Sequence, residues 1–203
     1  KSEREKGVQM LIQHLEVAAE IGALGVIHPP LISMTMQIGG KRERIPDLSP
    51  IASTAKLERD LLVALYQRVC IRAEQLGTSV IIEPLNRYEQ WWPCTLAQGV
   101  DICNAVGSPN CRIMADFFHM HIEESDMGKA ITDAADYIVN VHIADSTRST
   151  PGTGLTDFVP GFRALKQAGY QHFLGLECGV PGPDKKAELK RAAEHVRSLY
   201  DGC

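Results

Sequence analysis

The sequence predicts an α/β fold built on a parallel sheet. Two patterns alternate along its 203 residues, stretches of helical periodicity and short apolar runs, in five successive pairs. The runs are apolar at nearly every position, as in strands buried on both faces. The last four runs each carry one polar residue near the C-terminal end: Glu83, Asp116, His142 and Glu177.

The first helix is marked by Val8, Leu11, Ile12, Leu15, Ala18 and Ala19, which recur at i, i+3, i+4 spacing and predict a helix over Gly7–Gly22. Gly22 suits a helix stop. Leu24–Pro30 then reads as a buried strand. Leu31–Pro50 is the longest irregular stretch, with Gly39-Gly40, the charged Lys41–Arg44, Pro46 and Pro50. Its length fits either a lid over a site or a solvated connection around an edge.

Leu57–Leu76 is a second amphipathic helix, followed by Gly77 and the strand Ser79–Leu85. Thr95–Val106 reads as a helix with Thr95 as N-cap, and Cys111–Phe118 as the next strand. Asp126–Ala135 and Phe158–Ala168 are helices, each preceding a strand, Tyr137–Ala144 and Phe173–Cys178. Lys185–Leu199 is the last helix.

Composition bounds the function. Hydrophobic residues at 44% against 23% charged residues supply a core and argue against disorder. A formal charge of -4 disfavours general binding to a phosphate backbone, but says nothing against small polar substrates. Apolar runs of about eight residues are too short for a membrane helix. The six cysteines form no C-x-x-C pair and follow no signal peptide, which points to reduced thiols in the cytoplasm.

A charge inside an apolar strand costs several kcal/mol unless it is paired or bound to a metal. Four such groups at the same end of consecutive strands mark the end where α/β sites form. Three carboxylates and one imidazole suit Mn²⁺, Co²⁺ or Mg²⁺ better than a structural zinc. The competing possibility is a buried carboxylate network neutralised by Arg87, Arg112 or Arg148.

The loops after these strands are rich in groups that can hold a polyol. They contain Ile-Glu83-Pro-Leu-Asn-Arg-Tyr-Glu89, Asp116-Phe-Phe-His119-Met-His-Ile-Glu-Glu, His142-Ile-Ala-Asp-Ser-Thr-Arg148-x-x-Pro-Gly-x-Gly and Leu-Glu177-Cys. In these motifs the sequence resembles the sugar isomerase/epimerase superfamily of xylose-isomerase-like TIM barrels. Within it, the resemblance is to the D-tagatose and D-psicose (ketose) 3-epimerase branch.

The resemblance implies a TIM (β/α)8 barrel of which residues 1–203 form a single partial domain, strands four to eight. Three N-terminal units, on the order of 70 residues, have no counterpart here, so a cropped chain is expected. It also implies one Mn²⁺, Co²⁺ or Mg²⁺ held by Glu83, Asp116, His142 and Glu177. Glu83 and Glu177 would be the catalytic acid and base on opposite faces of a sugar epimerised at C3 through an enediolate. Glu89, His119 and Arg148 would bind the substrate. The implied partners are a small-molecule sugar and a second copy of the chain in a homo-oligomer, with neither nucleic acid nor membrane.

Several residues have competing structural readings. Arg148 can pair with Asp145, Glu89 can cap a turn, and His119 can hydrogen-bond to Asp116. His28 is read at the same rim as pocket lining, and His14, His172 and His195 as surface groups. A substrate role for His121 is doubtful, and Trp91 and Trp92 suit either sugar stacking or an oligomer contact. Rival functions are an aldose–ketose isomerase or inosose dehydratase of the same superfamily, an endonuclease-IV-like repair enzyme, and a non-catalytic polyol-binding module.

Overall fold

The computed structural model describes residues 1–30, 48 and 50–203. The expected lid Leu31–Pro50 therefore lies, except for Leu48 and Pro50, outside the described residues. Seven helices are described: α1 (Ser2–Glu20), α2 (Thr54–Leu76), α3 (Leu96–Val106), α4 (Phe117–Glu123), α5 (Met127–Ala134), α6 (Val159–Gln167) and α7 (Lys185–Asp201). The five strands are β1 (Gly25–His28), β2 (Ser79–Ile82), β3 (Cys111–Asp116), β4 (Ile138–Ile143) and β5 (Leu174–Leu176).

All neighbouring strands pair in parallel, and their spatial order is their order in the chain. A doubly wound sheet reverses its strand order at a switch point. This sheet does not, and its progression is that of a barrel arc.

Local chemistry sets the helix ends. The α2 helix starts before the first apolar position because the Ser53 side chain accepts the Lys56 N–H at 3.3 Å. Thr95 and Gln98 form a reciprocal capping box at α3, and Gly107 ends that helix in the left-handed conformation. The α1 helix begins at Ser2 rather than Gly7, with Glu3 and Glu5 in its first turn, where they oppose the helix dipole.

One element differs from the sequence expectation in kind. Cys111–Phe118 is not a strand throughout: β3 stops at Asp116 and α4 starts at the next residue. Asp116 Oδ1 accepts the N–H groups of Phe118 at 2.8 Å and His119 at 3.2 Å, so the last strand residue is also the helix cap. The apolar character of Phe117 and Phe118 extends the strand pattern but cannot reveal the cap.

Alternation along each strand separates two faces. Val80 and Ile82 of β2, Cys111, Ile113 and Ala115 of β3, and Val141 and Ile143 of β4 join the apolar cluster shared with the helices. Leu174 and Leu176 of β5 pack against it. The opposite parity carries Glu83, Asp116, His142 and Glu177. In β4 this depends on a register shift opposite Ile113/Met114, across which Ile113 pairs with Ile138 but Met114 with Asn140. The extra residue inverts the parity, so Ile138 and Val141 both reach the core while His142 pairs with Asp116.

The same parity overturns the reading of His28 as pocket lining. It shares the helix side with Val26, and its Nδ1 lies 2.7 Å from the Tyr66 hydroxyl of α2. His14 and His172 are exposed, as expected, and His195 is half-buried. All six cysteines are free thiols, with Cys70, Cys103 and Cys111 buried and the others half-buried.

Candidate metal centre

The C-terminal ends of four adjacent strands converge on one point. Glu83 follows β2 and Glu177 follows β5, and each still donates its backbone N–H across the ladder, to His28 O and Ile143 O. Between them stand Asp116 at the end of β3 and His142 in β4. Each of the four offers one ligand atom, and these atoms lie within 4.8 Å of one another. His142 Nδ1 lies 3.0 Å from Glu177 Oε2, 3.8 Å from Asp116 Oδ2 and 3.9 Å from Glu83 Oε1.

The cluster fits a divalent ion on an observation of its own. Asp116 Oδ2 is buried and accepts no hydrogen bond, while Oδ1 is committed to α4. A buried carboxylate oxygen without a donor is costly, and a cation at this point would satisfy it.

Electrostatics reflect the crowding. Burial, then the charges of Asp116 and Glu177, push the Glu83 carboxyl up to about 7. Burial also raises Asp116, against the pull of Arg148. The hydrogen bond from His142 holds Glu177 well below the usual range. His142 is raised: burial acts against its charge, but Glu177, Glu83 and Asp116 outweigh it.

The three expected substrate groups surround this cluster. Arg148 Nη1 lies 3.3 Å from Asp116 Oδ2 and 3.0 Å from His119 Nε2, and Nη2 donates to Glu177 Oε2. Its guanidinium stands 4.6 Å above the Phe118 ring. His119 is buried, and Asn86 presents its backbone N–H to Nδ1 at 3.0 Å. Burial, then Arg148, lower the His119 pKa to about 3, which keeps the ring neutral. Glu89 is half-buried, and its Oε1 accepts a 2.9 Å bond from Asn86 Nδ2.

The competing readings resolve residue by residue. The Arg148 side chain does not pair with Asp145, whose carboxylate accepts backbone N–H groups instead. Glu89 does take part in its own turn, through Asn86. His119 hydrogen-bonds to Asp116 through its backbone N–H, 3.2 Å from Oδ1, while its Nε2 stands 3.9 Å from Oδ2, beyond hydrogen-bond distance. Arg87 binds Glu123 through its backbone N–H, Nε and Nη2, and Arg112 binds the Asp136 carbonyl. Of the three arginines weighed as neutralisers, Arg148 alone enters the cluster. His121 is exposed, and the Trp91 and Trp92 rings lie 5.9 Å apart, tilted by 30°.

Sequence reasoning missed Asn86, Phe118 and Gln90. Asn86 touches both Glu89 and His119, Phe118 lies under Arg148, and buried Gln90 donates to the Glu83 carbonyl at 3.3 Å. Asn86 and Phe118 stand inside the quoted motifs, which was the available signal.

Comparison with known proteins places the chain in a family. A family model described as the xylose isomerase-like TIM barrel matches residues 1–199. The chain is 32% identical over 197 residues to 3-dehydro-D-guloside 4-epimerase of Escherichia coli (strain K12), covering 96% of this chain and 72% of that one. It is 34% identical over 184 residues to ketose 3-epimerase of Arthrobacter globiformis, covering 88% and 58%. A structure of L-ribulose 3-epimerase matches with a TM-score of 0.83 at 27% identity, covering 98% of this chain and 68% of that one. The chain thus spans between 58% and 72% of the length of these relatives. With the barrel progression of its strands and this match along nearly its whole length, the chain belongs to the xylose isomerase-like TIM barrel family.

Proposed function

We propose that this chain carries the catalytic centre of a divalent-metal-dependent sugar epimerase, which inverts the carbinol carbon beside a ketone, at C3 of a ketose. The observation that carries the reading is the order of the four groups. Glu83 and Glu177 come from β2 and β5, the outer two of the four strands that carry these groups, with Asp116 and His142 between them. Two carboxylates therefore flank one cation site.

Asp116, His142, Glu83 and Glu177 would hold the ion. Three oxygens and one nitrogen favour Mn²⁺, Co²⁺ or Mg²⁺. Bound there, the ion would act as a Lewis acid toward the sugar's ketone and neighbouring hydroxyl.

Every other role falls to the chain itself. Inversion needs one group to remove the α-hydrogen and another to return a proton from the opposite face. Glu177 and Glu83 would take these two roles, and the charge of the bound ion would lower both carboxyls from the values that burial and their neighbours give them. The reverse reaction exchanges the two roles. Negative charge on the resulting enediolate would be met by Arg148 and by neutral His119. Glu89, oriented by Asn86, would accept a hydrogen bond from a sugar hydroxyl.

A second reading has its own support. The Escherichia coli relative, named as a 4-epimerase of a 3-dehydro sugar, shares 197 aligned residues with this chain. Epimerisation at C4 beside a C3 ketone is the same α-proton chemistry on a substrate shifted by one carbon. The finer reading places the enzyme in the cytoplasm as a homo-oligomer acting on a free sugar, and the six free thiols support the cytoplasmic part of it. No helix among the described residues is long and apolar enough to cross a membrane.

The test is proton NMR in D₂O with the protein, Mg²⁺, a panel of ketoses and a 3-dehydroglycoside. Deuterium at C3 of a ketose with its epimer supports the lead reading, and deuterium at C4 of the 3-dehydroglycoside supports the second. Deuterium at C1 with an aldose product moves the assignment to isomerase. Glu177→Gln and Glu83→Gln should each lower exchange by about 10²-fold or more. No exchange with any sugar, in a chain that carries the N-terminal units of the family barrel and is shown by calorimetry to bind the ion, overturns the epimerase reading for that panel.

A further inference from the structure

Arg148 has a left-handed backbone, with φ +56°. For a side-chain-bearing residue this backbone is strained and persists only where surrounding structure imposes it. Its amide donates to the Asp145 carbonyl at 2.8 Å, and its own carbonyl accepts from Gly179 at 2.8 Å. The Asp145 amide in turn donates to the Ser149 carbonyl at 2.9 Å. Arg148 thus closes, as its fourth residue, a turn whose first residue is Asp145.

The Asp145 side chain organises the loop that leaves this turn. Oδ1 accepts the N–H groups of Ser146 at 2.8 Å and Thr156 at 3.0 Å. Oδ2 accepts those of Gly152 at 2.8 Å and Thr153 at 3.1 Å. Asp145 is only 1% exposed, and no ion-pair partner is found for it among the described residues. Burial opposes its charge, but the backbone donors outweigh burial and hold it at about 2. The packing leaves no slack: a Cβ on Gly154 would lie 2.4 Å from Oδ1. From outside, α7 pins the same loop through Arg191 to the Pro151 carbonyl and Glu188 to Thr150.

We propose that Asp145 is the positioning residue for Arg148: its buried carboxylate gathers residues 146–156 and thereby holds the Arg148 guanidinium against His119, Asp116 and Glu177. Asp145 touches none of these groups, so it acts through the loop. The catalytic consequence rests on the proposed epimerase function, but the structural consequence does not.

The test compares wild type, Asp145→Asn, Arg148→Ala and the double variant. Asparagine keeps the size of the side chain but turns an NH₂ group toward N–H donors. Amide hydrogen exchange at Gly152, Thr153 and Thr156 and the NMR signal of the Arg148 Nε–H group report the loop without any sugar. Asp145→Asn is expected to raise those exchange rates at least about tenfold and to broaden or shift the Arg148 signal. Its calorimetric affinity for Mn²⁺ should stay within about threefold of Arg148→Ala, where the guanidinium is also displaced.

With an active sugar, Asp145→Asn should lower exchange about tenfold in wild type and less than twofold in the Arg148→Ala background. Independent, additive losses would overturn the proposal, as would unchanged amide exchange with an unchanged Arg148 signal. Should Asp145→Asn fail to fold, Gly154→Ala crowds the same oxygen, and the same readouts decide with it. Inactivity on every sugar, in a chain that carries the N-terminal units of the family barrel, would count against the epimerase reading alone, since the loop readouts need no turnover.

Discussion

Arg148 Nη1 lies 3.3 Å from Asp116 Oδ2, the buried carboxylate oxygen that accepts no hydrogen bond. The guanidinium therefore shares its position with the oxygens a divalent ion needs, and two cations repel at short range. Arg148→Ala is expected to bind Mn²⁺ more tightly, by roughly tenfold. Isothermal calorimetry checks this, and equal or weaker binding would show that the arginine does not compete with the ion.

The left-handed backbone at Arg148 gives a second expectation, independent of charge. Arg148→Gly and Arg148→Ala lose the same ion pairs, but only glycine adopts positive φ without strain. The glycine variant should be more stable than the alanine variant by about 1 kcal/mol. Urea denaturation of the two decides it, and equal midpoints would mean that the backbone relaxes.

Glu83 supplies a pH dependence. Its carboxyl stands at about 7 in the folded chain against an ordinary 4.5, so the folded state binds the extra proton between those values. The contribution is fully present below 4.5 and is lost as pH rises through 7, by on the order of 3 kcal/mol. Without divalent ions, the stability of wild type relative to Glu83→Gln should fall from about pH 5 to about pH 8. With saturating Mn²⁺, which needs the carboxylate, it should rise across the same range. Thermal melting at each pH checks both slopes.

Gly161 in α6 gives the last expectation. A Cβ there would lie 2.6 Å from the Phe117 ring, which packs on Phe158 and Phe162 at centroid distances of 5.9 and 5.4 Å and has little freedom to withdraw. Alanine's better helix propensity offsets about 1 kcal/mol of the clash. Gly161→Ala should still destabilise the fold by about 1–2 kcal/mol in urea titration.

Much of this architecture was legible in the sequence. Among the described residues, helical periodicity and apolar runs located every strand and all α-helices but α4, because burial is written into spacing. The four polar residues at strand ends were legible for the same reason: a lone charge in an apolar run is costly unless a partner or an ion meets it. Motif resemblance then added Glu89, His119 and Arg148, and all three lie around the cluster.

The features that were not legible depend on contacts between distant segments. The α4 helix continues from β3 without a break because Asp116 is both cap and strand end. His28 looked like a rim residue but turns to Tyr66, which stands 38 positions away.

The sequence by itself determined the alternation of strand and helix, the residue types at the strand ends and the family they belong to. These are local properties, set by side-chain period and cap chemistry. Only the tertiary structure decided the register shift that aligns His142 with Asp116, and the loop around Asp145 that turns Arg148 inward. The physical reason is that register and loop closure are settled by hydrogen bonds between segments, and no pattern within one segment records its partner.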